Sequence, residues 1–117
     1  MYMEVDVKRG DVYMVDFGSP NGSVQGGMRP AVVLQNDKGN LYSPTVTVAP
    51  ITSKQKRARM PTHVKLSRGD GGLAMESTVL AEQMRTINKT QIVYRLGSLS
   101  MESTSRLVCA VKIQLAI

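Results

Sequence analysis

One stretch keeps a clear helical rhythm, and it comes last. In Met101–Leu115 the residues Thr104, Leu107, Val108, Val111 and Leu115 recur at the spacing of one helix face. Ser100 stands where an N-cap is wanted, and Glu102 falls in the first turn, where the helix dipole favours an acid. Upstream, apolar and β-branched residues come in short runs broken by glycine, proline and asparagine. Those runs are Asp11–Phe17, Pro30–Gln35, Thr45–Thr52 (interrupted by Pro50), Thr62–Leu66 and Val93–Leu99. Ser77–Ile87 suits helix or strand, and its β-branched ends and the preceding Gly71-Gly72 favour strand. Asn36–Asn40 reads as a turn or short excursion. Five to seven short strands and one closing helix define a β-rich α+β chain, folded as a small, strongly curved sheet or partly open barrel.

The 117 residues fit one domain spanning 1–117, with no repeat or linker dividing it. Hydrophobic residues at 42% against 21% charged give a globular balance, so disorder is not expected. A lone Cys109 cannot form an intrachain disulfide, which suits a reducing compartment. The N-terminal decapeptide carries acids and lacks a long apolar core, unlike a signal peptide, and no apolar run approaches membrane-spanning length. A soluble, cytoplasmic protein without a membrane partner is expected. Fifteen Lys and Arg against nine Asp and Glu leave a net charge of +6. That surplus points to an acidic partner, nucleic acid first, or serves solubility alone.

Candidate chemistry is sparse. With one His and one Cys far apart, no metal set is expected, and His63 reads as a surface or packed strand residue. The glycines of "GSVQGG" have neither Walker nor dinucleotide spacing, so neither cofactor nor metal is expected. The loop "SKQKRAR" gathers Lys54, Lys56, Arg57 and Arg59, either for phosphate contacts or as a solvated loop. Arg29 follows the glycine loop and precedes Pro30, which drives it towards extended geometry at the mouth of a strand. Its planar fork suits a phosphate, alongside the N–H groups of the loop, or an ion pair with a strand-end acid such as Asp37. Thr52 closes a strand just before the basic loop, with a hydroxyl that is structural or a hydrogen-bond donor.

In their order and spacing, "KRGDVYMVDF", "GSVQGGMRPAVVLQND", "PITS", "PTHVKL" and "LAEQMRTI" resemble the MazF/PemK/Kid toxins, bacterial endoribonucleases of toxin–antitoxin systems. The likeness runs from Val7 into the C-terminal helix. It rests most on G-x-R-P at Gly27–Pro30 joined to P-x-T at Pro50–Thr52. The resemblance implies a CcdB/MazF-like, SH3-like barrel with a C-terminal helix, acting as a homodimer. It implies ribosome-independent, metal-free, sequence-specific cleavage of single-stranded mRNA, leaving 2′,3′-cyclic phosphate and 5′-hydroxyl ends. Arg29 and Thr52 match the catalytic pair, and Glu82 matches a carboxylate proposed as base in part of the family. Ser23, Asn36 and Gln83 match positions near or on the RNA, and Lys54 and Arg57 belong to the adjoining basic loop. The expected partner is an antitoxin whose acidic, flexible segment covers that loop.

RNA brings its own nucleophile, so the protein need only orient the 2′-hydroxyl, relieve charge on the phosphorane and manage two protons. Arg29 is always protonated and Thr52 is far too weak an acid to ionise, so the pair reads as an electrostatic clamp. The chain departs from many relatives at Val24, where they carry an acid, which leaves Glu82 or solvent to take the proton. Two other readings fit the fold class: a gyrase-poisoning toxin like CcdB, and a non-catalytic RNA-binding barrel.

Overall fold

The computed structural model describes residues 6–19, 26–54 and 60–117. Seven strands form one antiparallel sheet: β1 (Asp11–Asp16), β2 (Met28–Val33), β3 (Thr45–Thr52), β4 (His63–Leu66), β5 (Ser77–Leu80), β6 (Arg85–Asn88) and β7 (Ile92–Ser98). The order is β4-β5-β3-β2-β1-β7, with β6 also paired to β3. Because β4 and β7 stand at opposite ends of that path, the sheet does not close, as the partly open barrel required. Two helices join it, α1 (Asp37–Tyr42) and α2 (Met101–Leu115).

Strand alternation divides the apolar residues into two cores. Val12, Val32, Ala49, Ile51 and Val79 belong to one, together with Leu107 and Ala110 of α2. Tyr13, Val15, Ala31, Val33, Val46, Val48 and Ile87 make the other. Burying apolar area in both contributes about 25 cal/mol per Å², which lets a chain of this size fold without disulfides.

Three details differ from the sequence reading. Asn36–Asn40 is no simple turn: Asn36 caps α1, its side-chain oxygen accepting the Gly39 N–H at 2.8 Å. Ser77–Ile87 is strand broken by a 3-10 turn at Ala81–Gln83, so β5 and β6 pair with different parts of β3. Pro50 does not interrupt β3. The strand runs through it because β6 pairs with Thr45–Val48 and β5 with Ile51–Thr52, so Pro50 lies in the gap where no donor is needed.

Helix α2 starts where expected, with the Ser100 hydroxyl accepting the Ser103 N–H at 3.2 Å. Its buried face is rotated from the expected one, to Ser103, Leu107 and Ala110, while Leu115 is half exposed. Asp70 fixes that rotation by accepting the Ser100 N–H at 2.9 Å and the Ser103 hydroxyl at 2.5 Å. Asp70 sits in a 3-10 turn, Asp70–Gly72, that packs against β7 backbone to backbone. A Cβ on Gly72 would lie 2.0 Å from the Leu96 carbonyl oxygen, so the approach needs glycine.

Partial burial of Asp70 opposes its ionisation, but the Ser103 and Ser100 hydrogen bonds and nearby Arg106 outweigh that and lower its pKa from the ordinary 3.8. A carboxyl depressed in the folded state adds stability above its unfolded pKa and loses it as pH falls through the folded value. Stability should therefore drop below about pH 4. The difference between urea midpoints at pH 5 and pH 3 should be smaller in Asp70→Asn than in the parent. An undiminished difference would remove Asp70 from the acid response.

Candidate active site

Arg29 is the second residue of β2, further into the sheet than the strand mouth expected for it, because the β1–β2 ladder extends to Asp16↔Met28. It stands opposite Val15 and is half-buried. Its Nε donates to the Gly26 carbonyl at 2.8 Å, tying the side chain to the end of the glycine loop. Nε is one of five donors, and the two terminal nitrogens carry the fork that matches phosphate oxygens. Asp37 is no ion-pair partner for Arg29: it begins α1 beyond the far end of β2 and accepts the Arg9 backbone N–H at 2.8 Å.

The β2–β3 register pairs Ala31 with Pro50, Val32 with Ala49 and Val33 with Val48. The ladder ends at Ala31↔Pro50, so Arg29 and Thr52 each lie two residues beyond it, at the same end of two neighbouring strands. Thr52 is buried and is the last residue of β3. Its Oγ1 accepts the Lys54 N–H at 3.2 Å, which leaves its own proton to donate. Thr52 pairs in turn with Thr78 on β5, and Thr78 with Lys65 on β4. Thr52, Thr78 and Lys65 thus form one row across three strands, with Arg29 on the next strand, β2, at the same end. Thr78 and Lys65 drew no notice in the sequence, where only the alternation in "THVKL" and "STVL" hints at which face they take.

The structure deals differently with the remaining candidates. Glu82 and Gln83 share the 3-10 turn rather than a strand, so strand alternation does not separate them. Glu82 accepts the Thr62 hydroxyl at 3.0 Å through Oε1 and pairs with His63 Nε2 at 2.9 Å through Oε2. Nδ1 of His63 accepts the Met60 N–H at 3.4 Å, so in the neutral ring Nε2 carries the proton and donates to Glu82. His63 is thus packed against a specific partner that its sequence position does not reveal. Asn36 lies beyond the opposite end of β2 from Arg29, so one chain does not bring the two together. Lys54 is exposed two residues after Thr52, while Ser23, Val24 and Arg57 lie outside the described residues. Arg85 lies over the Phe17 ring, 5.2 Å from its centroid.

Among the described residues no three His, Cys, Asp or Glu side chains gather as a metal set, and no helix is long and apolar enough to cross a membrane.

An open, seven-stranded antiparallel sheet with a C-terminal helix is the fold of a known class of small toxins. A sequence profile of the PemK-like, MazF-like toxins of type II toxin–antitoxin systems matches residues 8–115, and the chain belongs to that family. It is similar to Endoribonuclease MazF of Staphylococcus saprophyticus, 42% identical over 111 residues that cover 95% of this chain and 92% of that protein. MazF of Deinococcus radiodurans superposes with a TM-score of 0.82 at 23% identity, over 97% of this chain and 99% of that one. An endoribonuclease from a mycobacterial species, solved in complex with its cognate antitoxin, gives 0.77 at 22% identity over 94% and 95%. At such identities the superpositions speak for the fold alone.

Proposed function

We propose that this chain is the endoribonuclease toxin of a toxin–antitoxin system, cleaving single-stranded mRNA at a short sequence without a metal ion. The observation that supports the reading is the β2–β3 ladder, whose Ala31↔Pro50 end leaves Arg29 and Thr52 at the same end of two neighbouring strands. The 2′-hydroxyl attacks the adjacent phosphorus, forming the O2′–P bond as the P–O5′ bond breaks. One proton leaves O2′ and one joins O5′, giving a 2′,3′-cyclic phosphate and a 5′-hydroxyl. Arg29 holds the charged phosphoryl oxygens and Thr52 donates to a non-bridging oxygen, where negative charge grows in the transition state. Because the nucleophile belongs to the substrate, no metal-bound water is needed.

Glu82 is a poor choice of base in this arrangement. Both of its oxygens already take donors, and the turn carries it roughly 10 Å along the chain from Thr78, next to Thr52. Its role is to hold Thr62 and His63 at the start of β4, and solvent accepts the 2′-hydroxyl proton. Lys54 and Gln83 add RNA contacts beside the pair.

The protein acts as a homodimer, held in check by an antitoxin whose acidic segment lies over the basic loop. Val93 and Tyr94 on the edge strand β7 are exposed, as are Met101, Ile113 and Leu115 on α2. Such apolar surface gains from being covered by a second copy.

Incubation of the purified protein with a long RNA in EDTA tests the reading. Cleavage should persist, with 5′-hydroxyl and cyclic-phosphate ends. Full dependence on added Mg²⁺ or Mn²⁺ would overturn the mechanism, and intact RNA under all conditions would favour a gyrase poison or passive binder.

A further inference from the structure

Beside Thr52 opens a groove of about 440 Å³ that includes neither Arg29 nor Thr52, yet Ser53 and Lys54, the two residues after Thr52, help line it. Three cations line it, Lys54, Lys65 and Arg106, against one carboxylate, Glu76. Met60 and Met75, 45% and 61% exposed, add apolar surface. Thr78 and Lys65 belong both to this groove and to the strand row that contains Thr52. The groove is therefore continuous with the candidate active site.

We propose that this groove holds the RNA segment next to the cleaved phosphodiester, and that Lys65 takes a phosphate other than the scissile one. The proposal rests on the endoribonuclease reading above. Lys65 stands three strands from Arg29, about 14 Å at the usual strand spacing, too far for both to hold the same phosphate. The ammonium of an exposed lysine on a flexible stem meets a phosphate as a point charge without fixing a base. The methionines offer the polarisable apolar surface against which an unstacked base can rest. Charge favours a polyanion, and continuity with the Thr52 row favours RNA over a protein segment.

The test uses an RNA oligonucleotide made uncleavable by a 2′-deoxy group at the scissile nucleotide, with binding followed by anisotropy across a salt series. Lys65→Gln should weaken binding about five- to tenfold and reduce the slope of log K against log salt by about 0.7, the value of one phosphate contact on a single strand. Lys38→Gln, on α1 beyond the far end of β2, is the charge-matched control and should change both by much less. A series of oligonucleotides, each with one phosphate replaced by a neutral methylphosphonate, then locates the contact. At one non-scissile position the replacement and Lys65→Gln should together cost no more than either alone. Additive losses at every position, or a loss equal to that of Lys38→Gln, would overturn the proposal. So would Lys65→Gln weakening an acidic peptide while sparing RNA, which would assign the groove to a protein partner. Cleavage of the same oligonucleotide with its ribose intact is measured in parallel. Its absence would remove the endoribonuclease reading while the binding series still judges the groove.

Discussion

Arg29→Ala is expected to lower the single-turnover rate of RNA cleavage at least about a hundredfold, the scale on which losing one preorganised transition-state donor acts. The phosphorane carries more charge than the substrate phosphate, so the guanidinium binds it more tightly, and the loss falls on the chemical step. Arg29→Lys should recover little, because an ammonium cannot reproduce the planar fork that meets two oxygens at once. The fold should survive, since Arg29 is half-buried and, among the described residues, its side chain hydrogen-bonds the Gly26 carbonyl of the loop rather than a core group. A thermal midpoint within a few degrees of the parent, with the rate collapsed, is the expected pair of results. An unfolded Arg29→Ala protein would instead make the arginine a structural anchor for the glycine loop.

Thr52 should matter on a similar scale, and here the question is whether the hydroxyl or the packing counts. The residue is 3% exposed, so truncation alone also disturbs the sheet. Three variants separate the causes. Thr52→Val keeps the shape and removes the hydroxyl, and should be slowed at least about a hundredfold, as Thr52→Ala is. Thr52→Ser keeps the hydroxyl and should restore most of the rate. The Lys54 N–H that loses its acceptor in the valine variant belongs to an exposed residue, so water can replace the bond. A fast Thr52→Val protein would sink the clamp, whatever Thr52→Ala does.

The local content of the chain was legible in its sequence. Short apolar and β-branched runs bounded by turn residues marked β1, β2, β3, β4 and β7 to within a residue or two, and the i, i+3, i+4 pattern with Ser100 and Glu102 marked α2. Those signals are local, since β-forming runs, turn residues and capping depend on residues a few positions apart. Arg29 and Thr52 were likewise singled out by neighbours in the chain, a glycine loop and proline for one and a strand end for the other.

What the tertiary structure decided is who faces whom. The pairing of β2 with β3 brings Arg29 and Thr52 to the same end of neighbouring strands, and the registers of β5 and β4 set Thr78 and Lys65 in one row with Thr52. No local pattern encodes a register, because slipping a strand by one residue leaves its own alternation intact while exchanging its faces. The 3-10 turn at Ala81–Gln83 took Glu82 off a strand and put it against Thr62 and His63, contacts 20 and 19 residues apart in sequence. Asn36 became a cap because a short helix formed after it. Asp70 turned α2 so that Ser103, rather than Thr104, faces inward. The sequence determined most of the strands and the closing helix, and it singled out Arg29 and Thr52. Long-range pairing determined which side chains share a face, because that depends on contacts between segments that alternation and capping cannot sense.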